Sequence, residues 1–99
     1  MNKIINLGVI GISEGNGHPY SWSAIFNGYN KKKMENCGYP AIYDYLKDQK
    51  FPDAQIKEGR VTHIWTQDLS LSQKIASATL IENIADDYHD LIKNVDALL

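Results

Sequence analysis

A nearly continuous apolar run near the amino terminus constrains the fold of this chain more than any other feature. The run covers residues 3–10 and contains five aliphatic side chains: Ile4, Ile5, Leu7, Val9 and Ile10. Such a run is typical of a strand that is buried on both faces of a parallel sheet. Gly11 ends it, and a loop rich in glycine, serine and asparagine continues as far as Pro19.

The rest of the chain alternates between helical and extended patterns. Apolar spacing and end signals predict helices over residues 20–29, 41–50 and 70–78, and strands over residues 61–66, 82–84 and 95–99. A further helix is expected to begin at Asp86 or Asp87 and to end near Lys93. The helix at residue 70 is expected to open with a capping box of Ser70 and Gln73, and the polar residues 30–39 to form a loop.

This alternation predicts an α/β fold with parallel strands and right-handed crossovers. We expect a Rossmann-like parallel sheet with helices on both faces, incomplete, holding the first three strands and the start of a fourth. The helix over residues 41–50 is expected to lie outside this sheet.

The glycine-rich loop predicts the function. A dinucleotide site needs a tight turn after the first strand, a backbone that comes close to the pyrophosphate, and a helix whose N–H groups face the anion. Glycine meets the first two needs because it has no side chain. The strict G-x-G-x-x-G pattern is broken, since Ser13 and Asn16 stand at its second and third positions. The predicted cofactor-binding residues of the loop are Gly11, Ile12, Ser13, Glu14, Gly15, Asn16, Gly17 and His18.

The composition of the chain argues against several other classes of function. A net charge of −2 argues against a nucleic-acid binder, which needs a strongly basic surface, and the one basic run, Lys31-Lys32-Lys33, is better explained as a solvated loop or helix end. Cys37 is the only cysteine, which excludes an internal disulfide, and the histidines lack metal-ligand spacing, so we expect no metal. No apolar stretch approaches the ~20 residues that cross a bilayer. We therefore expect no membrane contact and a cytoplasmic location.

Three stretches together resemble a known family. Residues 5–11, residues 68–76 and residues 85–98 are similar to the N-terminal domain of the glucose–fructose oxidoreductase / inositol dehydrogenase family. The last stretch is the most distinctive, with a capped helix followed by Val95-Asp96-Ala97 and an apolar strand. On this resemblance, residues 1–99 are the N-terminal part of a dinucleotide-binding Rossmann domain, with an extra loop-helix segment at about residues 31–59.

The resemblance implies an NAD- or NADP-dependent oxidoreductase that transfers a hydride to or from a sugar or polyol. It also implies a homo-oligomer. The family's catalytic lysine stands in a Glu-Lys-Pro motif beyond the fourth strand, and no such tripeptide occurs here. We therefore assign no catalytic residue and expect these 99 residues alone to lack dehydrogenase activity.

The end of the second predicted strand is the expected place for the adenosine ribose. Here it reads Thr66, Gln67 and Asp68, and all three are candidate cofactor-binding residues. The family pattern aligns Thr66 with the usual acid, and a neutral residue tolerates a 2′-phosphate better than an acid does. Asp68 is equally well explained as a turn or helix cap, which leaves NAD and NADP both open.

A second function is compatible with the same residues. Because a fold does not fix a function, the chain is also consistent with a non-catalytic nucleotide-binding or regulatory Rossmann module.

Overall fold

Four parallel strands form one sheet in the order β3-β2-β1-β4. The computed structural model describes residues 4–13 and 15–99. Its elements are β1 (Ile5–Ile10), α1 (His18–Asn27), α2 (Lys31–Glu35), α3 (Pro40–Lys47), β2 (Gly59–Trp65), α4 (Leu69–Thr79), β3 (Asn83–Ile84), α5 (Tyr88–Asn94) and β4 (Ala97–Leu98). The predicted α/β fold is confirmed, and the strand order is that of the first half of a doubly wound sheet.

Helices cover both faces of the sheet. α1 and α4 pack against each other and against β2. A Cβ placed on Gly59 would meet Phe26 of α1, whereas a Cβ placed on Gly8 would meet Leu91 of α5. Gly59 pairs with Ile5, three residues from Gly8, and side chains alternate along a strand, so the two glycines face opposite sides.

The main core lies on the face of α1 and α4. Its buried apolar residues come from the two central strands, the helices of that face and the segment between them: Leu7, Val9, Tyr20, Ala24, Met34, Leu46, Val61, Ile64, Ile75, Ala76, Ala78 and Ile81. An irregularity in the β1–β2 register places Val61 opposite Leu7 and Ile64 opposite Val9. Val61 and Ile64 therefore share a face despite their spacing of three, because the bulge absorbs one residue.

The expected loop over residues 30–39 is wrong, because it contains α2. The Asn30 side chain accepts a hydrogen bond from the Lys33 N–H at 3.0 Å and caps the helix. Met34 is fully buried in the core. The Asn30 cap and the buried Met34 side chain stabilise this short helix in the folded chain. Tertiary packing, more than local helix propensity, supplies most of the stability of helices in proteins.

The start of α4 differs from the predicted capping box, and it confirms the alternative interpretation of Asp68 as a helix cap. Asp68, rather than the Ser70–Gln73 box, caps the helix: its Oδ1 accepts from Ser70 N at 2.8 Å and from Leu71 N at 3.4 Å. An aspartate two residues upstream satisfies the same free N–H groups, so the helix begins at Leu69. Asp87 caps α5 as expected.

The helix predicted within the extra segment is present as α3, and it lies outside the sheet as expected. None of the described helices combines the length and the apolar composition that crossing a bilayer requires.

Candidate functional site

The loop between β1 and α1 leaves the sheet at the carboxyl end of a central strand. Gly11 and Gly15 have φ angles of +78° and +77°, a region that favours glycine. Gly11 N donates to Trp65 O at 2.7 Å, which ties the start of the loop to the end of β2. The loop therefore lies where ligands bind in open parallel sheets.

Part of the loop backbone is available to a ligand. Asn16 N donates to Ser13 O at 3.1 Å and closes a turn. The N–H groups of Ser13 and Gly15 have no acceptor among residues 4–13 and 15–99. Both residues line a cavity, so their N–H groups are the loop's candidate anion donors.

The first turn of α1, in contrast, has few N–H groups to offer. His18 N donates to Asn16 Oδ1 at 3.0 Å, Pro19 has no N–H, and Tyr20 N donates to Gly17 O at 2.9 Å. The helix therefore does not present the free N–H groups expected from the sequence, because the Asn16 side chain takes the position of an anion. Its dipole still favours negative charge at this end.

Gly17 is required by packing against the extra segment. It is buried. A Cβ there would overlap Ile42 Cδ1 and lie 2.9 Å from two ring carbons of Tyr39. Gly17 lines neither cavity. Its small size lets α3 and Tyr39 support the loop from behind.

The polar groups at the end of β2 hydrogen-bond to one another. The Thr66 hydroxyl donates to Asp68 O at 2.6 Å and lies 2.7 Å from Ser72 Oγ, and Thr66 N donates to Ser72 Oγ at 3.0 Å. Thr66 is 4% exposed. Thr66 and Asp68 line neither cavity. Both residues therefore stabilise the β2–α4 junction in the structure described.

The Gln67 side chain connects the segment after β2 to the glycine-rich loop after β1. Its Oε1 accepts from Ile12 N at 3.1 Å, and its Nε2 donates to Ile12 O. Gln67 and Ile12 line both cavities. This amide therefore fixes the backbone of the glycine-rich loop against the end of β2.

Two cavities flank the loop. The larger, of about 1250 Å³, lies between the loop, α4 and the extra segment. The smaller, of about 350 Å³, lies on the β4 side and includes Leu99 and Trp22. A dinucleotide extends across a strand end in both directions from its pyrophosphate, so a cavity on each side of the loop matches its shape.

Aromatic side chains stand beside both cavities. The rings of His18 and Trp22 stack at 4.5 Å between centroids and 5° between planes, at the smaller cavity. Tyr20 and Tyr39 contact each other at the larger one. Burial, with smaller contributions from Cys37 and Tyr39, raises the pKa of Tyr20, so this phenol stays protonated at neutral pH.

These observations test the fit of a nicotinamide dinucleotide. The space at Gly11 is open, since a Cβ there would meet only Gln67 Oε1, at 3.9 Å. Loop N–H groups are available at Ser13 and Gly15, and the two cavities accept the two halves of the molecule. The residues fit the group, with the loop amides rather than the α1 amides as the main donors.

Most of the site residues predicted from the sequence come together. Those that line a cavity are Gly11, Ile12, Ser13, Gly15, Asn16, His18 and Gln67. Gly17, Thr66 and Asp68 do not, and Glu14 lies outside the described residues.

Several lining residues escaped the sequence analysis. They include Trp22, Lys33, Ser70 and Lys74. The spacing of Ser70 and Lys74 places them on one side of α4, which was a usable signal. Lys33 reaches the cavity only because the extra segment folds back over the loop, and no local pattern marks that.

No family model, curated protein or solved structure matches this chain significantly.

Proposed function

We propose that this chain is the NAD(P)-binding portion of an oxidoreductase that transfers a hydride between a nicotinamide cofactor and a sugar- or polyol-like substrate. The observation that carries the proposal is the loop of residues 11–17 at the carboxyl end of β1, with a cavity on each side, in a sheet of order β3-β2-β1-β4. The chain runs outward from β1 through β2 to β3 and then returns to the other side of β1 as β4, so the strand order reverses between β1 and β4. Such a switch point is where open parallel sheets bind ligands.

Four residues of the loop have a definite role in this proposal. The N–H groups of Ser13 and Gly15 donate to pyrophosphate oxygens. Gly11 lets the phosphates approach the backbone, since no side chain fills the space above it. Gln67 holds the Ile12 backbone in place before the cofactor binds, which lowers the entropic cost of binding.

The chemistry of hydride transfer belongs to the nicotinamide when it is bound. The chain's own contribution is to bind and orient the dinucleotide. In the full oxidoreductase, the proton donor or acceptor and the substrate pocket come from residues outside these 99, as the family resemblance implies. The sugar or polyol substrate and the homo-oligomeric assembly rest on that resemblance alone.

Titration calorimetry with NADH and NADPH tests the proposal. The wild type is expected to bind at least one of them, and Gly11→Val to bind neither, because its side chain fills the ligand's space. Gly28→Val is the matched control: Gly28 has φ +80°, lies at the other end of α1 and would meet no atom closer than 3.7 Å. It also places a β-branched residue at a positive φ, away from the site, so it should leave the affinity within about twofold of wild type.

Equal affinities of the wild type and Gly11→Val would contradict the proposal, provided that thermal melting shows both proteins folded. Binding without turnover by the full-length gene product, over a panel of sugars and polyols, would favour the non-catalytic module instead.

A further inference from the structure

Two cationic side chains line the larger cavity. Lys33 comes from α2 in the extra segment and Lys74 from α4. Of the described residues that line this cavity, none is acidic. The cavity therefore carries positive charge on its α2–α4 side, immediately beside the glycine-rich loop.

Polar side chains on one side of α4 continue this surface. Ser70, Lys74 and Ser77 are spaced four and three residues apart, so they lie along one side of the helix, and all three line the cavity. Lys33 Nζ donates to Ser77 Oγ, which joins α2 to this side of α4. The row begins one residue after the first residue of α4 and so starts at the level of the loop.

No carboxylate at the end of β2 is available to hold an unmodified ribose among the described residues. A carboxylate at the end of β2 accepts hydrogen bonds from the ribose hydroxyls of NAD, whereas a cation there accommodates the 2′-phosphate of NADP. Here Asp68 caps α4 and lines neither cavity. Thr66, at the usual acid position, is buried with its hydroxyl bonded to Asp68 O and Ser72.

We propose that the cofactor is NADP, and that Lys74 and Lys33, with the Ser70 hydroxyl, hold the phosphate on the 2′ oxygen of its adenosine ribose. This inference rests on the proposed function and specifies its cofactor. Because Lys33 belongs to the extra segment, it also gives that segment a role: α2, which packs against α4, brings a second cation to the cavity.

The first measurement compares the two reduced cofactors. NADPH should bind at least about tenfold more tightly than NADH, since one charge-assisted hydrogen bond supplies that ratio. Adenosine 2′,5′-bisphosphate should compete with NADPH more strongly than adenosine 5′-monophosphate does. The preference should weaken as salt is raised, because the lysines are exposed and screened.

The second measurement uses substitutions. Lys74→Gln should weaken NADPH binding about tenfold and NADH binding less than twofold, and Lys33→Gln should act in the same direction. Lys32→Gln is the matched control, since Lys32 is an exposed neighbour on α2 that lines neither cavity. Lys74→Glu should abolish the preference for NADPH.

The outcomes separate the two proposals. NADH binding as tight as that of NADPH, or an equal loss of both ligands in Lys74→Gln, would overturn the NADP assignment and leave dinucleotide binding intact. Binding of neither cofactor by the folded wild type would overturn both.

Discussion

Two loops leave the same edge of the sheet in parallel, and they differ in how their polar groups are used. After β2, Thr66, Asp68 and Ser72 bond to one another and to the first turn of α4. After β1, the Ser13 and Gly15 N–H groups have no acceptor within the described part of the chain, and a cavity lies on each side.

The hydrogen bonding of each loop indicates whether its polar groups stabilise the fold or are free to bind a ligand. A junction whose polar groups are all paired gains stability and has little left to offer a ligand. A loop with unpaired donors beside a cavity gains less stability and keeps its hydrogen-bonding capacity. The comparison therefore favours the β1–α1 loop as the proposed ligand-binding loop and gives Thr66 and Asp68 structural roles, although the sequence places candidate cofactor-binding residues in both loops.

The strongest test of the comparison is Ser72→Ala. The change leaves the buried Thr66 N–H without its acceptor, so the free energy of unfolding should fall by about 2 kcal/mol. Urea denaturation measures this, and Ser70→Ala, at an exposed position of the same helix, should stay within about 0.5 kcal/mol of wild type. The NADH affinity of folded Ser72→Ala should not change. A selective loss of binding with unchanged stability would place the β2 end in the site.

Asp68→Ala should have a smaller effect of the same kind. Loss of the helix cap should lower the free energy of unfolding by about 1 kcal/mol. Asp68→Asn keeps an acceptor oxygen and should recover most of that loss. If Asp68→Ala instead made the free energy of NADH binding less favourable by more than it lowered the free energy of unfolding, the carboxylate would be a ribose ligand. That result would contradict the structural role given to Asp68.

The smallest expected effect concerns Asp87, which caps α5 away from both cavities. Hydrogen bonding from the His89 backbone, opposed by slight desolvation and aided by the His89 side chain, lowers the pKa of Asp87 below its usual value. A folded-state pKa below the unfolded one stabilises the protein above pH ~4, and that contribution is lost as the pH falls through the folded-state pKa. The stability difference between wild type and Asp87→Asn, followed by urea denaturation, should therefore shrink from pH 7 to pH 3. A difference independent of pH would show that the carboxylate charge adds nothing to this cap.

The sequence predicted those features that depend on local pattern. β1 and β2 follow from apolar runs, and the cap at Asp87 from an aspartate before a helical pattern. α2 was missed because Lys31, Lys32 and Lys33 give no apolar period, and only Met34 enters the core. The cap of α4 was misplaced because Asp68 and Ser70 both satisfy the local rule, and only the folded chain shows which one is used.

The site was predicted in part for the same reason. The glycine-rich loop is contiguous in the chain, so its residues could be named from the sequence. The contact of Lys33 with Ser77 joins residues 44 positions apart, and the packing of Tyr39 and Ile42 behind Gly17 depends on the path of the extra segment. Such contacts exist only after the chain has folded.

The most direct test of the central claim is an amide NMR titration of the protein with NADPH. We expect saturable shifts of the Ser13 and Gly15 N–H signals, with smaller changes at Gln67 and Lys74, and no change at His89 on α5. Saturable shifts confined to α5 and β4, or no shift in the loop at saturating NADPH, would contradict the assignment of the β1–α1 loop as the dinucleotide site.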